Sequence, residues 1–199
     1  MKKIVAFSIL LAAVLGWARP RSQGKDQGNL ELVIAQGTPL KLELTSGDYQ
    51  IEAGQSDKIV IVSQTMNDDD RSKVRFGVNT TPGEASVKVT GPKQYSAKIQ
   101  IPQNISLNIR LNGGRLTINS IDGDKDIESN GGQLNINVRR PEDYGTVDAS
   151  VNSGNIDASA FGSSNDKLMR TFRTKGPGKY RLHVHLGAGE INLLSGQAM

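Results

Sequence analysis

His183 and His185 are the only histidines in the 199-residue chain, and they alternate with Leu182, Val184 and Leu186. On an extended strand successive side chains point to opposite faces, so both imidazoles share one face and the aliphatic residues take the other. A His-x-His pair so placed can bind zinc or copper. With the aliphatic face turned to a core, however, the pair faces solvent, and the chain has no cysteine to act as a third ligand. Asp122-Gly-Asp-Lys-Asp126 echoes the first half of a calcium loop, but Ile127 stands where the loop needs glycine and Gln133 where it needs a bidentate glutamate. Asp122, Asp124 and Asp126 therefore read as solvated turn residues, as do Asp68-Asp-Asp70. No metal site is assigned.

Nucleophilic catalysis finds little material. Ser153 lies near Asp157 but lacks the Gly-x-Ser-x-Gly elbow that would present it to a base. Glu43, Asp126, Glu128 and Asp148 could supply a carboxylate pair for glycoside hydrolysis on a β-face. They share their columns with Asn108, Arg110 and Ser150, the pattern of a varied surface. Lys167, Arg170, Arg173, Lys175, Lys179 and Arg181, with Arg139 and Arg140, could face anionic glycans or head groups, or simply keep β-edges soluble. The Gly-Gly pairs are followed by no Walker lysine or helix, so they hold no phosphate. The reading is of a non-enzyme without cofactors, with no catalytic or cofactor-binding residue; a polysaccharide-active β-helix enzyme and an envelope-stress accessory protein are the alternatives.

The elements that would position these residues are written in a repeat. Asn112-Gly-Gly-Arg-Leu-Thr-Ile-Asn119 returns 18 positions later as Asn130-Gly-Gly-Gln-Leu-Asn-Ile-Asn137. Aligned on the second glycine, five copies appear, with corner glycines Gly47, Gly114, Gly132, Gly154 and Gly189. Five and three positions before each glycine stand Leu42/Leu44, Ile109/Leu111, Ile127/Ser129, Ala149/Val151 and Val184/Leu186. Two and four positions after it stand Tyr49/Ile51, Leu116/Ile118, Leu134/Ile136, Ile156/Ala158 and Ile191/Leu193. Ser129 is the lone polar residue in these columns. Period-two alternation repeated in this way predicts half-buried strands that gain stability by stacking, with glycine supplying positive φ at the bends. Each buried Leu or Ile would contribute about 1.5–3 kcal/mol relative to exposure. A two-residue hairpin turn at each glycine also places Leu44 and Tyr49 on one face, so a meander stays open.

Elsewhere, Leu30–Ile34, Leu40–Leu44, Asp48–Glu52, Lys58–Ser63, Lys73–Asn79, Ala85–Thr90 and Gln94–Ile101 read as strands. Asn67–Arg71 reads as a loop, Pro141–Gly145 and Phe161–Lys167 as inserted loops, and Leu168–Thr174 as strand or short helix. Asp122-Gly-Asp124 is a second bend, midway between the closest copies. Residues 53–104 lack the glycine motif and read as an irregular β-insert or antiparallel sub-layer. The predicted class is all-β: a single-domain parallel β-solenoid with an irregular, partly antiparallel N-terminal half.

Met1-Lys-Lys, the apolar run Ile4–Leu15 and Gly16-Trp-Ala18 read as a signal peptide over residues 1–18. A disordered leader over 19–29, the β-domain over 30–195 and a tail over 196–199 complete the expected division. No later apolar run approaches the roughly 20 residues of a membrane helix, so no transmembrane segment is expected in the mature chain. Loss of Lys2 and Lys3 lowers the net charge from +4 to +2, too near neutral to argue for nucleic acid. The protein is expected to be exported, whether to periplasm, cell surface or medium.

Ile99-Gln-Ile-Pro102, then Leu107-Asn-Ile-Arg-Leu-Asn-Gly-Gly114 and the successive Gly-x-apolar-x-apolar units resemble the bacterial adhesin-head domains of unknown function. Thr45-Ser-Gly-Asp-Tyr-Gln-Ile51 and Gly189-Glu-Ile-Asn192 fit the same pattern. The resemblance covers about Leu30 to Leu194. It implies an exported, Gly-punctuated β-solenoid without catalytic residues, used at the cell envelope as an adhesin, a scaffold or a binding module. Its partner is unknown, with an envelope or extracellular glycan or protein the class expected.

Overall fold

Alternation of aliphatic and polar residues is realised as strands along the described residues. The computed structural model describes residues 28–64, 67–92, 94–163 and 168–196. The signal segment, all but the last two residues of the leader and Lys167 lie outside them. In chain order the elements are β1 (Asn29–Val33), β2 (Leu40–Leu44), β3 (Gly47–Ala53), β4 (Lys58–Ser63), α1 (Asp68–Lys73), β5 (Arg75–Thr81) and β6 (Glu84–Thr90). They continue with β7 (Tyr95–Ile101), β8 (Leu107–Leu111), β9 (Gly114–Asn119), β10 (Lys125–Val138), β11 (Tyr144–Asp157), β12 (Thr171–Lys175) and β13 (Tyr180–Ser195). All thirteen strands belong to one sheet.

The strands form layers, each a first arm, a corner and a second arm. β2 pairs in parallel with β6 and β8, while β3 pairs in parallel with β7 and β9. The two arms of one layer therefore bond to other layers and not to each other, which rules out the hairpin meander. β8 and β9 both pair with the long strand β10, which pairs with β13, which pairs with β11. Register is kept throughout: Tyr49, Leu116, Leu134, Ile191 and Ile156 stand over one another, all fully buried. Buried residues lie at odd positions before each corner glycine and at even positions after it. This change of parity lets both arms face one continuous hydrophobic core.

The corner glycines stand in one line from layer to layer. Gly114, Gly132, Gly154 and Gly189 have φ between 106° and 139°. A Cβ on Gly132 would lie 1.8 Å from the Gly114 carbonyl oxygen, and one on Gly189 1.8 Å from that of Gly132. The corner thus excludes a side chain twice, by dihedral and by the carbonyl of the adjacent layer. Ser129, polar in an aliphatic column, is buried and donates to the Gly131 carbonyl at 3.0 Å.

Of the parallel solenoid expected from the repeat, the structure shows parallel pairing of some strands within a sheet of mixed orientation. Layers do not stack in chain order: β2–β3 lies between β6–β7 and β8–β9, and β13 lies between β10 and β11. Antiparallel strands extend the stack at both ends, β5 on β6, β4 on β7, β1 on β4 and β12 on β11. The segment 53–104, expected as an irregular insert, contains a full layer, β6–β7. Its corner is three residues longer than that of β2–β3, because Val89 aligns with Leu44 and Tyr95 with Gly47. Tyr95 is buried there, edge-on to Tyr49 with ring centroids 5.7 Å apart.

Two local expectations also change. Asn67–Arg71 is not a loop but the start of α1, where the Asn67 carboxamide oxygen accepts from the Asp70 amide at 2.7 Å. Three aspartates in the first turn and Arg71 and Lys73 in the last complement the helix dipole. Within Leu168–Thr174 the strand begins at Thr171, where β12 pairs with β11. The second bend at Asp122–Asp124 does stack: Ile105 donates to the Asp122 carbonyl and Leu107 to that of Asp124.

Candidate functional site

Residues six and four positions before each corner glycine project outward from the first arms and form two rows across the stack. One row runs Lys41, Asn108, Asp126, His183, Asp148 in register; the other runs Glu43, Arg110, Glu128, His185, Ser150. Neighbours in a row sit about 4.8 Å apart, the spacing of paired strands, so ionisable groups on adjacent layers interact directly.

Most charges on this face are paired. Glu43 accepts from Lys41 at 3.0 Å and lies 3.8 Å from Lys88, and the Lys41 hydrogen bond holds its carboxyl below the usual range. Arg110 bridges Asp126 at 3.0 Å and Glu128 at 3.2 Å. Arg173 donates to Asp148 at 3.0 Å. His183 and His185 do share the outward face, with Leu182, Val184 and Leu186 buried beneath. His185 Nδ1 lies 2.9 Å from the Ser150 hydroxyl. His183 stands between Asp126 and Asp148 by register, and Asp126, Glu128 and His183 each offer a ligand atom within 4.8 Å of the others. The Asp126 carboxylate uses Oδ2 toward Arg110 and Asn108, while its buried Oδ1 has no hydrogen-bond partner.

The carboxylates considered for glycoside hydrolysis each lie against a cation, Glu43 against Lys41 on its own strand, Asp126 and Glu128 against Arg110, and Asp148 against Arg173. Ser153 sits on the corner of β11, and Asp157 Oδ1 accepts the Ser159 amide at 2.9 Å, a turn contact. The residues of the calcium-like loop diverge: Asp122 is buried, Asp124 accepts the Arg181 amide at 2.8 Å, and Asp126 joins the outer row. The basic stretch is dispersed, with Arg173 on Asp148, Lys179 over the Tyr180 ring at 4.7 Å, and Arg139 and Arg140 on Asp122. Thr146–Asp148 and Arg173–Lys175 line a groove of about 220 Å³ on β11 and β12.

One polar cluster escaped the reading of the sequence. Lys125 is 2% exposed, in register between Leu107 and Leu182. Its ammonium donates to the Gly123 carbonyl at 3.1 Å and to the Tyr144 hydroxyl, and lies 5.0 Å from the Tyr144 ring centroid. Burial pulls its pKa down to about 8, against the opposing pull of Asp122 and Asp124. Burial likewise pushes the Tyr144 hydroxyl up. The signal was present one step upstream of the columns: seven positions before the corner glycines stand Leu40, Leu107, Lys125, Val147 and Leu182.

Comparison with known proteins places this geometry. The family profile of Toastrack DUF4097 matches residues 25–194. Among solved structures, a "putative cell adhesion protein" from Clostridium sporogenes ATCC 15579 shares the fold at 13% identity and a TM-score of 0.54. That match covers 84% of this chain and 98% of the other. No curated protein matches the chain. No helix among the described residues is long and apolar enough to cross a membrane. With the layered arms, the line of corner glycines and a profile match over most of its length, the chain belongs to the Toastrack DUF4097 family.

Proposed function

We propose that the protein is an exported, non-enzymatic binding or scaffold module of the cell envelope, with the outer face of the first arms as its contact surface. The observation that carries this reading is the pairing of Glu43 with Lys41 along one strand, and of Asp126, Glu128 and Asp148 with Arg110 and Arg173 across strands. Such a face offers regularly spaced hydrogen-bond donors and acceptors to a repetitive partner, an envelope or extracellular glycan or protein. Its carboxylates are each already engaged by a cation. The cell adhesion name of the solved relative points the same way, and Met1–Ala18 supports export. In this reading the parallel layers work as a solenoid does, as a stiff support whose neighbours hold each row in place.

An array of envelope and host glycans, probed with the chain lacking residues 1–18, tests this role alongside a reducing-sugar release assay. Stoichiometric retention without sugar release, weakened at least fivefold by combined Lys41→Gln and Arg110→Gln, is the expected result. Release of reducing ends with turnover would replace it with a polysaccharide-active enzyme.

A further inference from the structure

We propose that Asp126, Glu128 and His183 form a divalent metal site of the zinc class, independent of the envelope role. Two adjacent strands bring the three together: Asp126 and Glu128 project from β10, and His183 from β13 opposite Asp126 in parallel register. Their ligand atoms lie within 4.8 Å of one another, a separation that small side-chain rotations would close onto one ion. One imidazole and two carboxylates suit zinc and its neighbours better than calcium, which takes six to eight oxygens.

A second observation points to a ligand. Asp126 Oδ2 is occupied by Arg110 and Asn108, yet its Oδ1 is buried without a partner. A buried carboxylate oxygen left unpaired is costly, and a cation bonded to Oδ1 would satisfy it. Arg110 contributes one positive charge against two carboxylates, so the cluster keeps net negative charge for a dication while the guanidinium orients both acids. His185 and Asp148 stand outside the set, engaged with Ser150 and Arg173.

Calorimetry with zinc chloride on tag-free protein tests the site, with calcium chloride as the hard-ion comparison. One zinc should bind per chain, with calcium at least tenfold weaker. Asp126→Asn and His183→Ala should each weaken zinc at least tenfold, His185→Ala less than threefold. Circular dichroism melts confirm that each variant is folded, and a zinc-dependent shift of the His183 ring resonances gives a second readout. Absence of zinc binding to the folded wild type overturns the proposal. So does zinc binding that survives Asp126→Asn and His183→Ala, or that depends equally on His185.

Discussion

The two arms of each layer share one core and one line of corner glycines, yet their outer faces differ. Beyond the first arms stand Lys41, Glu43, Arg110, Asp126, Glu128, His183, His185 and Asp148, a face that is almost wholly ionisable. Beyond the second arms, in the layers from β9 to β13, amides predominate at Asn119, Gln133, Asn135, Asn137 and Asn192, with Arg115, Asp157 and Glu190 among them. There Asn192 donates to Asn135 at 2.9 Å and Asn137 donates to Asn119. Parallel, in-register stacking places like residues together, which amides convert into ladders and charges tolerate only when signs alternate. The first-arm face is therefore the more heavily charged, while the second-arm face mixes ion pairs with amide ladders.

The comparison fails at once if the arms do not share an interior. Ile136→Asp, on the inner side of a second arm, should abolish cooperative folding, because it buries an unpaired charge in the core. Asn137→Asp, one residue on and facing out, should cost about 1 kcal/mol, the loss of one hydrogen bond. Denaturant melts of the two variants decide it, and similar losses would show the inside–outside division to be wrong.

The glycine line is tested next. Gly132→Ala places a methyl 1.8 Å from the Gly114 carbonyl at a φ of 115° and should cost several kcal/mol, roughly 3–5. Gly131→Ala, whose Cβ would meet no atom closer than 3.4 Å, should cost under about 1 kcal/mol. Chemical denaturation of this adjacent pair separates a steric corner from general glycine flexibility.

Lys125 makes an inner position of a first arm titratable. Its folded pKa, about 8, lies below its ordinary value, so from pH 8 upward the unfolded chain binds more protons than the native one. Folding stability should rise with pH in that window. Relative to Lys125→Met, wild type should gain roughly 1–2 kcal/mol between about pH 8 and pH 9.5. Paired urea melts at the two pH values measure it, and parallel curves would mean the ammonium is not desolvated.

The smallest effect distinguishes the outer faces themselves. Arg110→Gln leaves Asp126 and Glu128 without their shared cation and should cost up to about 1 kcal/mol, a loss that changes with salt. Asn135→Ala should cost a similar amount, through loss of the Asn192 bond, with no salt dependence. Melts at about 0.05 M and about 0.5 M salt compare the two faces directly.

Much of this was readable before any coordinates. The columns around Gly114 and Gly132 foretold which residues are buried, because period-two burial depends only on neighbours in the chain. The outward placement of His183 and His185 followed from the same alternation. The β6–β7 layer went unread because its corner is three residues longer and carries Tyr95 in place of glycine, so alignment on glycine passed over it. Lys125 went unread because the columns were drawn one step too short. The meeting of His183 with Asp126 could not be read locally at all, since 57 positions separate them in the chain.

Side-chain alternation and corner chemistry are local matters, and from them the residues alone settled the all-β class, the inner and outer faces and the positions of the bends. The order of the layers was settled only by folding. Every layer presents nearly the same aliphatic edge to a neighbour, so β13 could dock on several strands with similar gain from its columns. That it lies between β10 and β11 rests on contacts summed over the whole stack, and it is this placement that sets His183 beside Asp126.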